Sequence, residues 1–256
     1  MQVKSTKNHL PLRRTATFRF YEELNDFLPA DLRKQAFGYE FTGNPSVKNS
    51  IEAVGVPHAE VDMILVDGQS VGFDYQMTGG EYISVYPVFE SLDISPLIHL
   101  REKPLRNLRF IADVNLGKLA RKLRLLGFDT FYHNKLEDDE IVNISLVEKR
   151  SILTRDVGIL KHNAVTHAYW VRSDEPFEQL KEVVKRFQLE NQMKPFTRCS
   201  KCNQKLKAVE KSRIIDQLDE RTGKFFDEFF QCTDCDQVYW KGSHYDRILS
   251  LIKEVT

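Results

Sequence analysis

The sequence predicts an α/β chain: a parallel sheet flanked by helices, preceded by a smaller β-rich unit and followed by a metal-binding module. Three observations carry this expectation. Residues 108–190 alternate short apolar runs with amphipathic stretches, as strands and crossover helices of a parallel sheet do. Residues 14–90 instead show period-two alternation around one helical stretch. All four cysteines fall into two Cys-x-x-Cys pairs, Cys199/Cys202 and Cys232/Cys235. A chain of 256 residues accommodates one to two domains and buries a sizeable core without disulfides.

Composition narrows the class. Charged residues make up 29% and hydrophobic ones 41%, which suits a soluble globular protein and excludes a disordered or fibrous one. No run approaches 18 consecutive apolar residues, so no membrane-spanning helix is expected, and the first residues lack the apolar stretch of a signal peptide. The expected location is the cytoplasm. Lys plus Arg and Asp plus Glu balance at 37 each, but residues 1–99 sum to −5 and residues 100–256 to +5, so nucleic-acid contact is expected in the second part.

In the first part, Thr15 to Tyr21 alternates around Phe18 and Phe20, and Gln35 to Phe41 repeats the pattern through Phe37 and Tyr39 as a hairpin partner. Asn44-Pro-Ser46 starts a helix with Val47, Ile51 and Val54 on one side. Met63 to Val66 is a strand running into an Asp67-Gly68 turn, and Glu81 to Phe89 is the last strand. This order resembles the β-grasp of ubiquitin, in a domain set at residues 1–98 with an N-terminal tail. Gly79-Gly80 lies inside the chain and reads as a turn of positive φ, not as a carrier terminus. The domain is expected to dock a protein partner. Pro96 and Pro104 mark a linker-like stretch over about 91–106, with the linker set at 99–107.

A second domain is expected over 108–192. Arg109 to Asp113 is a buried strand; Leu116, Leu119, Ala120, Leu123 and Leu126 mark the apolar face of a helix that stops at Gly127. Thr130 to His133, Ser151 to Asp156 and Ala168 to Val171 supply further strands, with helices from Asp138 to Val147 and from Pro176 to Phe187. Neither a P-loop nor a Gly-x-Gly-x-x-Gly motif occurs. Residues 193–256 form the metal module and a C-terminal helix. Its four thiolates can enclose one tetrahedral zinc, and the 29 residues between the pairs leave room for a hairpin or inserted loop. Four cysteines close the site, so Zn2+ there is structural. Tyr239 and Trp240 either pack the module or stack on bases, with Lys241 on phosphate.

The chemistry is expected where strands end. Asp113 and Asp156 close the first and third strands of this domain, and Asp138 opens the helix after the second, so all three face one rim. Converging carboxylates repel unless a hard cation joins them, which suits Mg2+ or Mn2+ acting on a phosphodiester. Singly, Asp138 reads as a first-turn helix acid and Asp156 as the cap of the Val157-Gly-Ile-Leu segment. Asp139 and Glu140 are equally acidic, and spacing does not choose among them. Lys118, Arg121 and Lys122 line the helix face opposite the leucines, a cationic ridge suited to RNA. Arg155 either meets phosphate or holds a carboxylate. In a phosphatase of the haloacid-dehalogenase kind an Asp follows the nucleophile by two residues, and here Asn115 stands in that place.

Phe110 to Asp113, the run Leu116 to Asp129, Asp138 to Ile141, Ile152 to Asp156, Arg198 to Asn203 and Cys232 to His244 together resemble the Mut-seven C-terminal RNase family, a branch of the PIN-like nucleases. The resemblance covers about 108–250. The N-terminal part resembles the ubiquitin-like domain that often precedes this RNase domain in bacteria. The resemblance implies a PIN-like sheet, a C-terminal zinc ribbon and metal-dependent endonucleolytic RNA cleavage. Carried over by position, the active acids are Asp113, Asp138 and Asp156, with Asp174 a candidate fourth. The competing expectation is a non-catalytic RNA-binding adaptor on a degenerate nuclease fold.

Overall fold

A computed structural model of the chain describes residues 12–87, 100 and 108–255, and these fall into two compact units, Met1–Lys103 and Pro104–Thr256. The expected N-terminal tail, the strand end at Val88 and Phe89, and the expected linker apart from Leu100 lie outside the described residues.

The first unit is a five-stranded sheet in the order β2-β1-β5-β3-β4, built from β1 (Arg13–Phe20), β2 (Ala36–Thr42), β3 (Val61–Val66), β4 (Gln69–Val71) and β5 (Tyr82–Pro87), with the helix α1 (Val47–Val54). β1 runs antiparallel to β2, with Phe18 opposite Phe37, and parallel to β5. Ala16, Phe18 and Phe20 are buried on one face, and the Phe18 ring meets Tyr39 edge-on at 5.5 Å. Ser46 caps α1 by accepting from the Asn49 N–H, and Gly55 ends it at φ +119°. This is the β-grasp arrangement with one strand more than expected: β4 pairs back on β3 across the Asp67-Gly68 turn, both of whose residues have positive φ. Gly79 and Gly80, at φ +99° and +96°, form an internal turn.

The second unit holds a four-stranded, wholly parallel sheet. Its elements follow in turn: β6 (Phe110–Ala112), α2 (Gly117–Leu125), β7 (Thr130–Phe131), α3 (Asp138–Glu148), β8 (Ser151–Thr154), α4 (Val157–Leu160), β9 (Ala168–Trp170) and α5 (Pro176–Arg186). The strand order is β7-β6-β8-β9. The chain leaves β6 toward β7 on one side and leaves β8 toward β9 on the other. A crevice therefore opens between the carboxyl ends of β6 and β8.

Leu116, Leu119, Ala120, Leu123 and Leu126 are all fully buried, packed with Leu180, Val183 and Val184 of α5. Each such leucine stabilises the unit by about 2 kcal/mol. A three-stranded antiparallel sheet completes the unit: β10 (Leu206–Val209), two short helices α6 (Lys211–Ile214) and α7 (Glu220–Phe225), then β11 (Phe229–Cys232) and β12 (Val238–Trp240). The gap between the cysteine pairs is thus a hairpin with a helical insert. The final helix α8 (Ser243–Val255) places Ile248 in the core beside α5. No helix among the described residues is long and apolar enough to cross a membrane.

Gly127 turns the chain out of α2 at φ +96°, and a Cβ there would collide with the Lys194 carbonyl and lie 2.8 Å from Thr197 Oγ1. The segment 194–197 is the approach to the first cysteine pair, and the Lys194 N–H bonds the Leu126 carbonyl at 2.8 Å. Gly127→Ala should therefore lower stability by about 2–4 kcal/mol. An unchanged thermal melt of the metal-loaded variant would contradict this packing.

Candidate active site and metal centre

The three acids reach the crevice by different routes. Asp113 follows β6 directly and is only 3% exposed. Its backbone N–H bonds the Leu153 carbonyl at 2.9 Å, which ties it to β8. Its Oδ2 accepts a 2.8 Å hydrogen bond from Thr154 Oγ1, and the same oxygen of Thr154 accepts from the Asp156 N–H at 2.8 Å. A buried threonine at the end of β8 therefore links two of the acids through one hydroxyl. Its signal in the sequence is slight: a single hydroxyl closing the buried run Ser151 to Thr154. Among the described residues this is the one hydrogen bond to the Asp113 carboxylate, so most of its accepting capacity is open.

Asp156 caps α4, its Oδ1 accepting from the Gly158 N–H at 2.6 Å. That is the role read from its position before Val157. Asp138 is the first residue of α3 and exposed, whereas the cap is Glu137, which exchanges hydrogen bonds with Glu140 in a capping box. Glu140 is thereby occupied, and Asp139 stands 4.0 Å from His162. Burial, then the charges of Asp156 and Asp113, with those of Glu137 and Asp139, push the Asp138 carboxyl above its usual range. The acids thus feel one another at the rim. Among the described residues they do not close into a cluster as tight as the cysteines'.

The cations divide. Lys118 and Arg121 are exposed on α2, and Lys122 lies 6.0 Å from the centre of the Phe177 ring. Arg155 holds a carboxylate, one of its two expected roles: its guanidinium bonds the carbonyls of Arg172 and Ser173 and pairs with Asp174, pinning the loop after β9. Asp174 is accordingly a partner of Arg155, 86% exposed. Lys241 pairs with Glu228, whose hydrogen bond and charge raise its pKa. Trp240 packs in the small core around Phe229 and Val238.

The four thiols form the one group of three or more metal-binding side chains found among the described residues, with every sulfur within 4.8 Å of the others. Cys199 Sγ lies 3.6 Å from Cys235 Sγ and Cys202 Sγ 3.3 Å from Cys232 Sγ. Those separations exceed a disulfide's ~2.05 Å and approach the ~3.8 Å edge of a tetrahedron with zinc–sulfur bonds of ~2.3 Å. The residue after each pair, Asn203 and Asp236, is left-handed, so the chain doubles back around both sulfurs alike. Tyr239 donates its hydroxyl toward Cys199 Sγ at 3.1 Å and accepts from the Ser200 N–H at 3.0 Å. Burial opposes the Cys199 thiolate, but the Tyr239 hydroxyl and the N–H groups of Cys202 and Lys201 bring its pKa down to about 7. The donor set fits a structural tetrahedral ion.

The first knuckle is locked to the sheet by a polar junction absent from the sequence expectations. Asp129, just before β7, accepts from Arg150 at 2.7 Å, Asn203 at 2.8 Å and Arg198 at 3.0 Å. Asn203 Oδ1 accepts from the Thr130 N–H at 3.0 Å. Arg124, buried in α2, donates to the carbonyls of Thr130 and Lys201 at 2.8 and 2.9 Å. All of this lies at the amino edge of the parallel sheet, and the acids lie at its carboxyl edge.

Burial alone would raise the Asp129 carboxyl, but hydrogen bonds from Asn203 and Arg150 and the charges of Arg150 and Arg198 hold it below the usual range. Its stabilisation is therefore present above the unfolded pKa near ~3.9 and is lost as pH falls through the lower folded value. Asp129→Asn should cost about 3 kcal/mol at pH 7, with the gap to wild type narrowing below about pH 4. Equal melting temperatures at pH 7 would remove the junction from the account.

A family model described as the Mut7-C RNAse domain matches residues 108–252, more than half of the chain, and one described as Mut7-C ubiquitin matches residues 13–93. No curated protein matches the chain, and no solved structure does.

Proposed function

The chain belongs to the Mut7-C RNAse domain family, and on that premise we propose that it is a metal-dependent endoribonuclease whose acids Asp113, Asp138 and Asp156 hold Mg2+ or Mn2+ at the crevice between β6 and β8. The observation that carries the reading is that Asp113 after β6 and Asp156 after β8 share the Thr154 hydroxyl at the crevice; beside it, burial and then the charges of Asp156 and Asp113 raise the Asp138 carboxyl. Carboxylates gathered at a strand-order switch repel one another, and a bound divalent cation would relieve that repulsion. Such an ion supplies a water of lowered pKa and neutralises charge building on the phosphodiester.

The chain's own groups do the rest. Thr154 holds Asp113 in place from within the core. Lys118 and Arg121 offer exposed charge to the RNA backbone along α2, and Lys122 flanks them. Zn2+ in the four-thiol site fixes the ribbon, residues 193–256, against the nuclease module, residues 108–192, and takes no part in the chemistry. Residues 1–98 serve as a docking module for a protein partner. An RNA-binding adaptor would keep the cationic helix and the knuckles, but three converging carboxylates would repel its ligand.

The test is cleavage of labelled RNA by the zinc-loaded protein with Mg2+ or Mn2+, beside Asp113→Asn. We expect cleavage of internal bonds that requires the added cation and falls at least a hundredfold in the variant, with melting and zinc content retained. Cleavage at the wild-type rate by Asp113→Asn would overturn the site assignment. Tight RNA binding by the wild type with no cleavage under any divalent cation would favour the adaptor.

A further inference from the structure

We propose that Phe177, with Lys122 and Lys181 over its ring, forms a stacking subsite for an unpaired RNA base beside the acidic crevice. The inference rests on the reading of RNA as substrate and adds to it where a nucleotide neighbouring the reacting phosphate would be gripped.

Phe177 is the second residue of α5, which starts at Pro176 after β9. In a parallel sheet the helix after each strand starts at the strand's carboxyl end, so the first turns of α5 and α2 stand at the same edge as Asp113 and Asp156. The two helices pack through Leu119, Leu123, Leu180 and Val184, which brings their cationic margins together. Phe177 sits where those margins meet. Lys181 Nζ lies 4.5 Å from its ring centre and Lys122 Nζ lies 6.0 Å away. Lys181 is also held by Glu178 at 3.1 Å.

The ring is neither fully buried nor part of the buried core. A phenyl ring kept partly open beside two ammonium groups has the chemistry of a nucleotide site: a π-face for a base, with positive charge near it for the flanking phosphates. Lys118 and Arg121 on α2 continue the positive charge along the same helix. An exposed ammonium holds such a ring less firmly than a base does, so the incoming base displaces Lys181 toward phosphate. Phe177 would then be a binding residue tolerant of base identity, because every base has a π-face.

The alternative role for Phe177 is a seal over the seam between α2 and α5. The two roles separate in one experiment on the full, zinc-loaded chain carrying Asp113→Asn to prevent turnover. A single-stranded oligoribonucleotide with one 2-aminopurine is titrated in, along with its duplex. We expect the fluorescence to be quenched on binding the single strand. Adding Phe177→Leu should remove the quenching and weaken binding about tenfold, whereas Phe177→Tyr should retain both. Lys118→Gln should weaken binding and leave the quenching intact. Melting curves establish that each variant is folded. Equal quenching and affinity in Phe177→Leu, or failure of the parent to bind the single strand, would overturn the subsite. Cleavage by the wild-type chain reports on the nuclease reading separately.

Discussion

The half-buried carboxylate of Asp129 holds the second unit together. It meets Arg150 before β8, and Arg198 and Asn203 on either side of the first cysteine pair, so one charge joins two strands of the parallel sheet to the metal knuckle. Both of its oxygens accept from donors, Oδ1 from Arg150 and Asn203 and Oδ2 from Arg198, which is the condition under which a desolvated ion pair costs little. Arg124 closes the junction from α2, and Asn203 covers the N–H of Thr130 on a strand only two residues long. Without these contacts β7 would be a bare edge strand with little to hold it. Its continuation leads to Asp138.

The two edges of that sheet solve electrostatics in opposite ways. At the amino edge, charge is paired and the Asp129 carboxyl is driven down. At the carboxyl edge, burial and then the charges of Asp156 and Asp113 drive the Asp138 carboxyl up. The edges stand only about 10 Å apart along strands of three or four residues. This separation also fits a division of labour between a closed thiolate site that holds structure and an open oxygen site that suits a hard cation.

Much of this was legible in the sequence where local rules dominate. The spacing of Leu116, Leu119, Leu123 and Leu126 marks a buried helix face, and all four are fully buried. Two Cys-x-x-Cys pairs mark a cluster of four thiols, and they gather within 4.8 Å. Strand β4 escaped because three residues carry no usable periodicity. The ion-pair partners of Arg155 and Lys241 escaped for another reason. Each cation has a carboxylate partner, Asp174 and Glu228, whose nearness depends on how separate segments pack. The same holds for Asp129 and Asn203, 74 positions apart, whose residue types suggest only turns when read alone. Thr154 was hidden by its ordinary place at a strand end.

The most direct measurement is anomalous scattering from crystals of the zinc-loaded protein soaked in Mn2+, with data at the manganese and zinc edges. The account predicts a manganese peak bounded by Asp113, Asp138 and Asp156, and a separate zinc peak among Cys199, Cys202, Cys232 and Cys235 at the other edge of the sheet. A zinc peak with no manganese among the three acids would contradict the central claim that they form a divalent-cation site.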